Sequence, residues 1–405
     1  MESSLFIAAD GEGEQRMREG WEYKKIGDIA TVVSGSTPQT SVEEFWGKGH
    51  YWVTPADLDD KTVYVVKTER QITDAALAKV KLQRLPKGTV LLSSRAPIGK
   101  VAICDVDMYC NQGFKNCICS DLVYNKYLFY FLKDKKEYLK SLGRGAIFKE
   151  ISKGIVEKVV VPLPPKPIQL SIVSELDKLN ELIQIKKEQL KDYDALAQSI
   201  FYEMFGDPVE NEKGWEVKEL IEIVSPECKI SYGIVQPGEH VDDGVSIVRP
   251  VDMVSTFISK EGLKKTTKEI SNSYSRTILS GKELLICVRG TTGVVSLVDE
   301  SLQGANVTRG IAPLLFSENV ERWFMYYQFK SSSVSGVISS LTRGIALKQI
   351  NMSDLRKIRL ILPPLSLQHS FAHKIEQIER QKAAVQRTIK DLETLFAARM
   401  QYWFD

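Results

Sequence analysis

Two stretches of the chain place apolar residues at alternating steps of four and three. The first reads Ile172, Leu176, Leu179, Ile183, Lys186, Leu190, Tyr193, Ala197, Ile200, Met204. The second reads Phe371, Ile375, Ile378, Lys382, Val385, Ile389, Leu392, Phe396, Arg399, Trp403. A mean spacing of about 3.5 residues is the seam of a coiled coil. Neither stretch contains Gly or Pro, and each begins just past prolines (Pro164, Pro165 and Pro167; Pro363 and Pro364). Those prolines hold the chain extended and cannot sit in a helix interior. The pattern predicts two helices of about 38 residues, each roughly 57 Å long at 1.5 Å per residue. A seam of that length must be covered. Because the helices match in length and a whole globular segment separates them, they are expected to pair antiparallel within the chain. A globular unit would then stand at each end of the rod, and Lys186 and Lys382 in the seam would help to set register. Packing of each helix on a different protein is the alternative.

Between the helices the period changes. Short β-branched runs, IATVV, YWVTP, TVLLSS and VAICDV in one segment and VSIVRP, ELLICV and GVVSLV in the other, are punctuated by Gly and Pro. They alternate with helical stretches such as KYLFYFLKDKKEYLKSL and ERWFMYYQFKSSSVSGVISSL. Each segment reads as a mixed α/β (α+β) domain with a small twisted sheet.

The two segments are copies of one another. SLGRGAIFKEI at 141–151 returns as SLTRGIALKQI at 340–350, with six of eleven positions identical. Gly20-Trp21-Glu22 returns as Gly214-Trp215-Glu216, TPADL at 54–58 as RPVDM at 249–253, and VPLPP at 161–165 as LILPP at 360–364. LLSSRAPIGKV at 91–101 returns as LLICVRGTTGVV at 284–295, which keeps Arg95 as Arg289, and Asn111 is matched to Asn306. A period near 200 residues is too long for a solenoid and fits duplication of a whole domain. The layout is a leader at 1–19, a first unit at 20–165, a helix at 166–205, a polar linker at 206–213, a second unit at 214–362 and a second helix at 363–405.

Composition narrows the classes. With 405 residues, 43% of them hydrophobic, the chain can bury true cores. The only apolar run in the leader is LFIAA, too short for a signal peptide or a spanning helix, so a soluble, cytoplasmic chain without membrane contact is expected. The six cysteines form no CxxC pair, which argues for buried thiols and against a metal site. His369 and His373 stand four apart on a helix without an evident third ligand. Net charge is +2 overall, but the first unit has 22 Lys and Arg against 16 Asp and Glu, and the second 18 against 16. That excess suits contact with phosphates and is also common in proteins that bind no polyanion. An NPPY-type tetrapeptide with a cofactor loop, a P-loop and a histidine-centred catalytic pattern are all missing from the sequence.

Candidate contact residues come from the repeated motifs. LPKGTVLLSSRAPIGKVAI reads as strand, turn, strand with Arg95 at the tip; the other tip carries Arg289 followed by Gly290, Thr291 and Thr292. Arginine, glycine and hydroxyl residues in one loop suit phosphate or base-edge contact, and an arginine paired to a nearby carboxylate is an equal reading. Arg144 with Lys149, and Arg343 with Lys348, follow a helix and serve either DNA contact or the junction with the long helix. Lys100, Asn111, Arg249, Asn306 and Arg309 complete the candidate DNA-contact set.

With these residues laid out, the chain closely resembles the specificity subunit of type I restriction–modification systems over residues 20–405. GWEYKKIGDIATVVSGSTP and GWEVKELIEIV look like the family's opening segment, LLSSRAPIGKVAI and NQGF like internal motifs, and VPLPPKPIQLSIVSELD like the start of its central helix. The chain departs from the family at Ile168-Gln169 and Leu367-Gln368, where Glu-Gln is common, and at Ala305-Asn306-Val307 in place of NQG. The resemblance implies two target recognition domains joined by two long antiparallel coiled-coil helices in pseudo-two-fold arrangement. Each domain would read one half of a bipartite, asymmetric site on double-stranded DNA. The helices would set the spacer and dock two modification methyltransferase subunits, with restriction subunits joining through that core. Seam and docking residues would be Ile172, Leu176, Leu179, Ile183, Leu190, Ile200, Ile375, Ile378, Val385, Ile389, Leu392 and Phe396. The chain would bind no cofactor or metal and catalyse nothing. S-adenosylmethionine would sit on the modification subunit, and ATP and magnesium on the restriction subunit. A rod of roughly 57 Å spans about 17 base pairs, more than one turn of DNA. Rival readings are a solitary DNA-binding protein, an adaptor joining two protein-binding domains, and a fused methyltransferase. Segments 141–151 and 340–350 are expected to hinge each reader to its helix, with specificity in the loops where the halves disagree.

Overall fold

The computed structural model describes residues 18–59, 61–144, 149–344 and 348–405. Most of the leader (1–17), and positions 145–148 and 345–347 of the repeat, lie outside the described residues. The chain divides into two compact units: residues 1–186 with 388–405, and residues 187–387.

In the first unit a five-stranded sheet runs in the order 30–34, 115–119, 90–92, 101–104, 64–65. Its central strand, Val90–Leu92, is buried on both faces. Val90 and Leu92 point into a core built on the helix Asn125–Asp134. Leu91 points the other way, into a smaller core with Val53, Met108 and Phe114. Period-2 alternation between two cores explains why the run is apolar throughout. A second sheet orders 71–72, 46–53 and 109–110. The opening strand Glu22–Lys25 pairs antiparallel with Val160–Leu163, so the first and last strands of the domain close on each other.

The second unit repeats this plan. Leu284–Cys287 lies between 295–297 and 311–314 and again faces two cores, Leu284 and Ile286 one way and Leu285 and Cys287 the other. Glu216–Glu219 closes antiparallel on Arg359–Leu362.

Both long helices contain 40 residues, Lys166–Phe205 and Leu365–Phe404. A buried glutamine fixes the start of each. Gln169 accepts from the Tyr124 N–H (2.8 Å) and donates to the carbonyls of Leu122 (3.0 Å) and Pro164 (2.9 Å). Gln368 accepts from the Glu321 N–H (2.9 Å) and donates to Pro363 O (2.8 Å) and Asn319 O (3.4 Å). The glutamine that both copies keep is therefore a structural clamp.

The helices pair antiparallel within the second unit, where Lys382 meets Asp194 at 2.8 Å while Phe371 packs on Phe201 at 5.7 Å between ring centres. In the first unit Arg399 pairs with Glu175, which also accepts from Trp403 Nε1 at 3.2 Å. Of the expected seam, Ile172, Leu176, Ile183, Ile375, Ile378, Val385 and Ile389 are buried, and Leu179, Leu190, Ile200, Leu392 and Phe396 are half-buried. At the C-terminal end of each helix the buried face turns away from the heptad frame: Ala197, Phe201 and Phe205 in one, Met400 and Phe404 in the other, all four apart. A straight helix drifts by about 20° per heptad, and here the last turns pack on a domain core instead of on a helix. Phe205 stacks edge-on against Phe324, and Phe404 against Tyr127 and Phe131.

Each helix end also meets the first residues of its unit. Trp215 donates from Nε1 to Phe205 O (2.8 Å), nine residues downstream of Gly206 in the same continuous segment. Trp21 stacks on Trp403, and the Arg18 guanidinium lies over Trp21, Tyr402 and Trp403.

Candidate nucleic-acid interface

At the end of each central strand the chain turns back through a tight loop. In the first unit Ser93 donates to Lys100 O (2.9 Å) and Gly99 to Ser93 O (3.0 Å); in the second Cys287 donates to Val294 O and Gly293 to Cys287 O, both at 2.8 Å. Gly99 and Gly293 both have left-handed φ, +87° and +88°. Arg95 and Arg289 ride these loops.

The repeated segment is stitched against the loop. Arg144 and Glu150 exchange both backbone hydrogen bonds (3.0 Å each), and Arg343 and Gln349 do the same (2.8 and 2.9 Å). Ile151 then donates to Ser94 O, and Ile350 to Val288 O, each at 2.9 Å. The expectation of a hinge to the long helix is corrected here. A short helix and the closing strand intervene, and the glutamine clamp makes that junction. What the repeat positions is the arginine tip.

Backbone pairing fixes which residues correspond. Trp52 and Val53 pair in parallel with Tyr109 and Cys110, as Ile247 and Val248 do with Asn306 and Val307. Ser94 donates to Gly113 O and Val288 to Gly310 O, each at 2.8 Å. A Cβ on Gly35 would collide with the carbonyl of Cys110, and one on Gly233 with that of Val307, so both copies need glycine at this close approach. Asn111 therefore corresponds to Thr308, not to Asn306, and Gln112 corresponds to Arg309. The glycines at 113 and 310 carried that register in the sequence; the asparagines misled by two positions.

Several candidate contact residues are engaged inside the fold. Lys100 donates from Nζ to the carbonyls of Pro55 (2.8 Å) and Leu58 (2.5 Å). Asn111 closes a turn by accepting from the Gly113 N–H (3.0 Å). Arg249 grips Asp252 through Nε (3.0 Å) and Nη2 (2.8 Å), and that hydrogen-bonded carboxylate raises the guanidinium pKa further. Asn306 is fully buried, accepting from Thr277 and donating to Ser271 and Tyr274. Thr291 is exposed, with its hydroxyl 3.6 Å from the Cys287 sulfur. Arg144, Lys149 and Lys348 are exposed beside the tips, and Arg343 reaches Asp354 at 3.2 Å.

The two tips differ in charge. In the first unit Arg95 Nε lies 2.9 Å from Glu150 Oε2, and the buried Lys115 ammonium lies 3.1 Å from Oε1. Burial works against the charged Glu150 carboxylate, but hydrogen bonds from Lys115 and Arg95 outweigh it and hold its pKa below the ordinary range. In the second unit Gln349 takes the place of Glu150 and Ala312 that of Lys115. Among the described residues no carboxylate pairs with Arg289. A cleft of about 830 Å³ opens beside it, lined by Arg276, Arg289, Arg309 and Arg356 together with Tyr232 and Gln349, and no Asp or Glu is in its described lining. Arg356 is held by donation to Ile230 O (2.6 Å). Four guanidinium groups in one concavity favour phosphate oxygens and base acceptors. Sequence reading found Arg289 and Arg309. It missed Arg276, Arg356 and Tyr232, which join them only through the fold.

Elsewhere, all six cysteines are free thiols, and burial pushes the Cys104, Cys110, Cys117 and Cys287 thiols upward. Among the described residues there is no cluster of metal-ligating side chains, and no helix is long and apolar enough to cross a membrane.

The duplication is also the pattern of a known domain. The model of the type I restriction modification DNA specificity domain matches twice, over residues 18–192 and 212–394. The chain belongs to that family. The type I restriction enzyme MjaIX specificity subunit of Methanocaldococcus jannaschii is 32% identical over 390 residues, covering 89% of this chain and 87% of the relative. Among solved structures, a chain from a study of complex assembly and conformational transition in a type I R-M system aligns over 96% of this chain and 99% of its own, with a TM-score of 0.64 at 20% identity. The S subunit of a type I restriction–modification system from M. genitalium aligns over 96% and 98%, with a TM-score of 0.51 at 14% identity. These two share the fold. As a type I specificity subunit the chain carries two target recognition domains, one per unit, each followed by a long helix.

Proposed function

We propose that each unit of this specificity subunit reads one half of a bipartite DNA sequence, and that the paired helices set the length of the unread spacer. The same helices dock two modification subunits, through which restriction subunits join, and the complex works in the cytoplasm. The chain itself performs no chemistry. Its partners supply S-adenosylmethionine for adenine methylation, and ATP and magnesium for restriction. One observation carries this reading: a single scaffold is built twice with the same strand register, while the side chains around its arginine tip diverge. Identical readers would serve a palindrome; divergent readers in one chain suit an asymmetric site.

The test is methylome sequencing of cells that carry this chain with its modification subunit. Adenine methylation is expected at a bipartite motif with a fixed spacer. Replacing residues 214–362 with the corresponding unit of another family member should change one half of the motif and leave the other. A change in both halves, or in neither, overturns the two-reader assignment.

A further inference from the structure

We propose that the second unit is the electrostatic anchor of the pair: its arginine cleft takes phosphate charge directly, whereas the equivalent arginine of the first unit is already held by its own carboxylate. This rests on the DNA-reading role above and adds a division of labour to it. Strand and hydrogen-bond register place Arg276, Arg289, Arg309 and Arg356 where the first unit has Leu82, Arg95, Gln112 and Glu157. Of the four first-unit residues, one is basic and one is acidic. The basic one, Arg95, is paired with Glu150 at 2.9 Å, and Glu157 lies 3.5 Å from Lys153. Gln112 hydrogen-bonds Thr37 and carries no charge.

The decisive position is a single residue of the repeat. Glu150 and Gln349 occupy the same antiparallel bridge to their tip arginines, Arg95–Glu150 and Arg289–Gln349. A carboxylate there engages the arginine through Nε on the protein itself, and an amide leaves the whole fork for a ligand. In the second unit Arg309, Arg276 and Arg356 add to the same field, with no acidic residue in the described lining to cancel it. Polyanion binding with release of counterions is the expected consequence, concentrated in one half of the molecule.

The full chain, titrated with a fluorescently labelled duplex of random sequence across a potassium chloride series, tests this. Arg289→Gln and Arg309→Gln should each flatten the plot of log affinity against log salt by about 0.9, one phosphate's worth of counterions. Gln349→Glu, which gives Arg289 a carboxylate that no buried lysine shares, should flatten it by a similar amount while every arginine remains in place. Arg95→Gln should cost less than half as much, and Lys260→Gln, a charge change outside the cleft lining, nothing. Melting curves identify any variant that fails to fold; the exposed Arg309 keeps the test open if the bridge variants do. Equal losses from Arg95→Gln and Arg289→Gln would sink the anchor and leave two equivalent readers. Wild-type slope in all cleft variants would also overturn it, with DNA reading intact. Failure of the wild-type chain, alone and with its modification subunit, to bind DNA would overturn the DNA-reading role itself, and the anchor with it.

Discussion

The first unit holds the larger excess of basic residues, yet the more positive cleft belongs to the second. In the first unit Lys115 and Arg95 share the Glu150 carboxylate; in the second an amide replaces that carboxylate and Ala312 the lysine, and the tip arginine faces a concavity with three others. Net charge thus measures how much a domain carries and says little about where the field acts. Local pairing decides that, because an arginine with its own carboxylate presents little potential to a partner at a Debye length of about 8 Å.

Domain exchange separates the two units most completely. If the two units are independent readers, grafting a foreign unit at 214–362 converts one half of the methylated motif outright, and sequencing shows it. Next in size is the shared frame. Gln169→Ala and Gln368→Ala each strand buried partners of a three-bond clamp and should cost about 3 kcal/mol in thermal unfolding. The two units should lose similar amounts; a difference of more than about 1 kcal/mol would show that the matched clamps are not equivalent in energy. Third, Glu150→Gln leaves the buried Lys115 ammonium without its carboxylate and should cost about 2 kcal/mol at neutral pH, less than for a fully buried pair because Glu150 is partly exposed. Adding Lys115→Ala, the residue type found at the matching position 312, should recover most of that loss, and a double-mutant cycle measures it. The smallest effect is acid sensitivity. Hydrogen bonding from Arg399, against some burial, lowers the pKa of Glu175, and Glu150 is lowered as described. A carboxylate with a lowered folded-state pKa contributes stability that is complete above its unfolded pKa of about 4.3 and is lost as pH falls through the folded value. Melting temperature should therefore show no contribution from these groups to its pH dependence above about pH 5.5, and Glu175→Gln should make the decline below that pH shallower.

Much of the architecture was legible because it is written in periods. Alternating steps of four and three gave the helices, period-2 runs gave the strands, and the recurrence of whole motifs gave the duplication. The candidate site was less legible, for a physical reason. Lys100, Arg249 and Asn306 look like free polar residues in a string of letters, but each finds its partner through a turn or a distant short helix. Conversely, Arg276 and Arg356 are eighty positions apart and share a cleft only because both flank the same arginine tip. Even inside the repeat, the informative position was not one of the six identities but the Glu150/Gln349 difference.

The aromatic joints at the helix ends have a kinetic consequence. Phe205 and Trp215 belong to one continuous run of chain, so if their contact opens the partners stay tethered at high effective concentration. Trp403 and Trp21 lie nearly the whole chain apart in sequence and are held by stacking, by Arg18 and by an ion pair between Lys135 and Asp405. The last turn of the second helix should accordingly open more readily than the Phe205–Trp215 joint, and amide exchange at the two helix ends should show the difference.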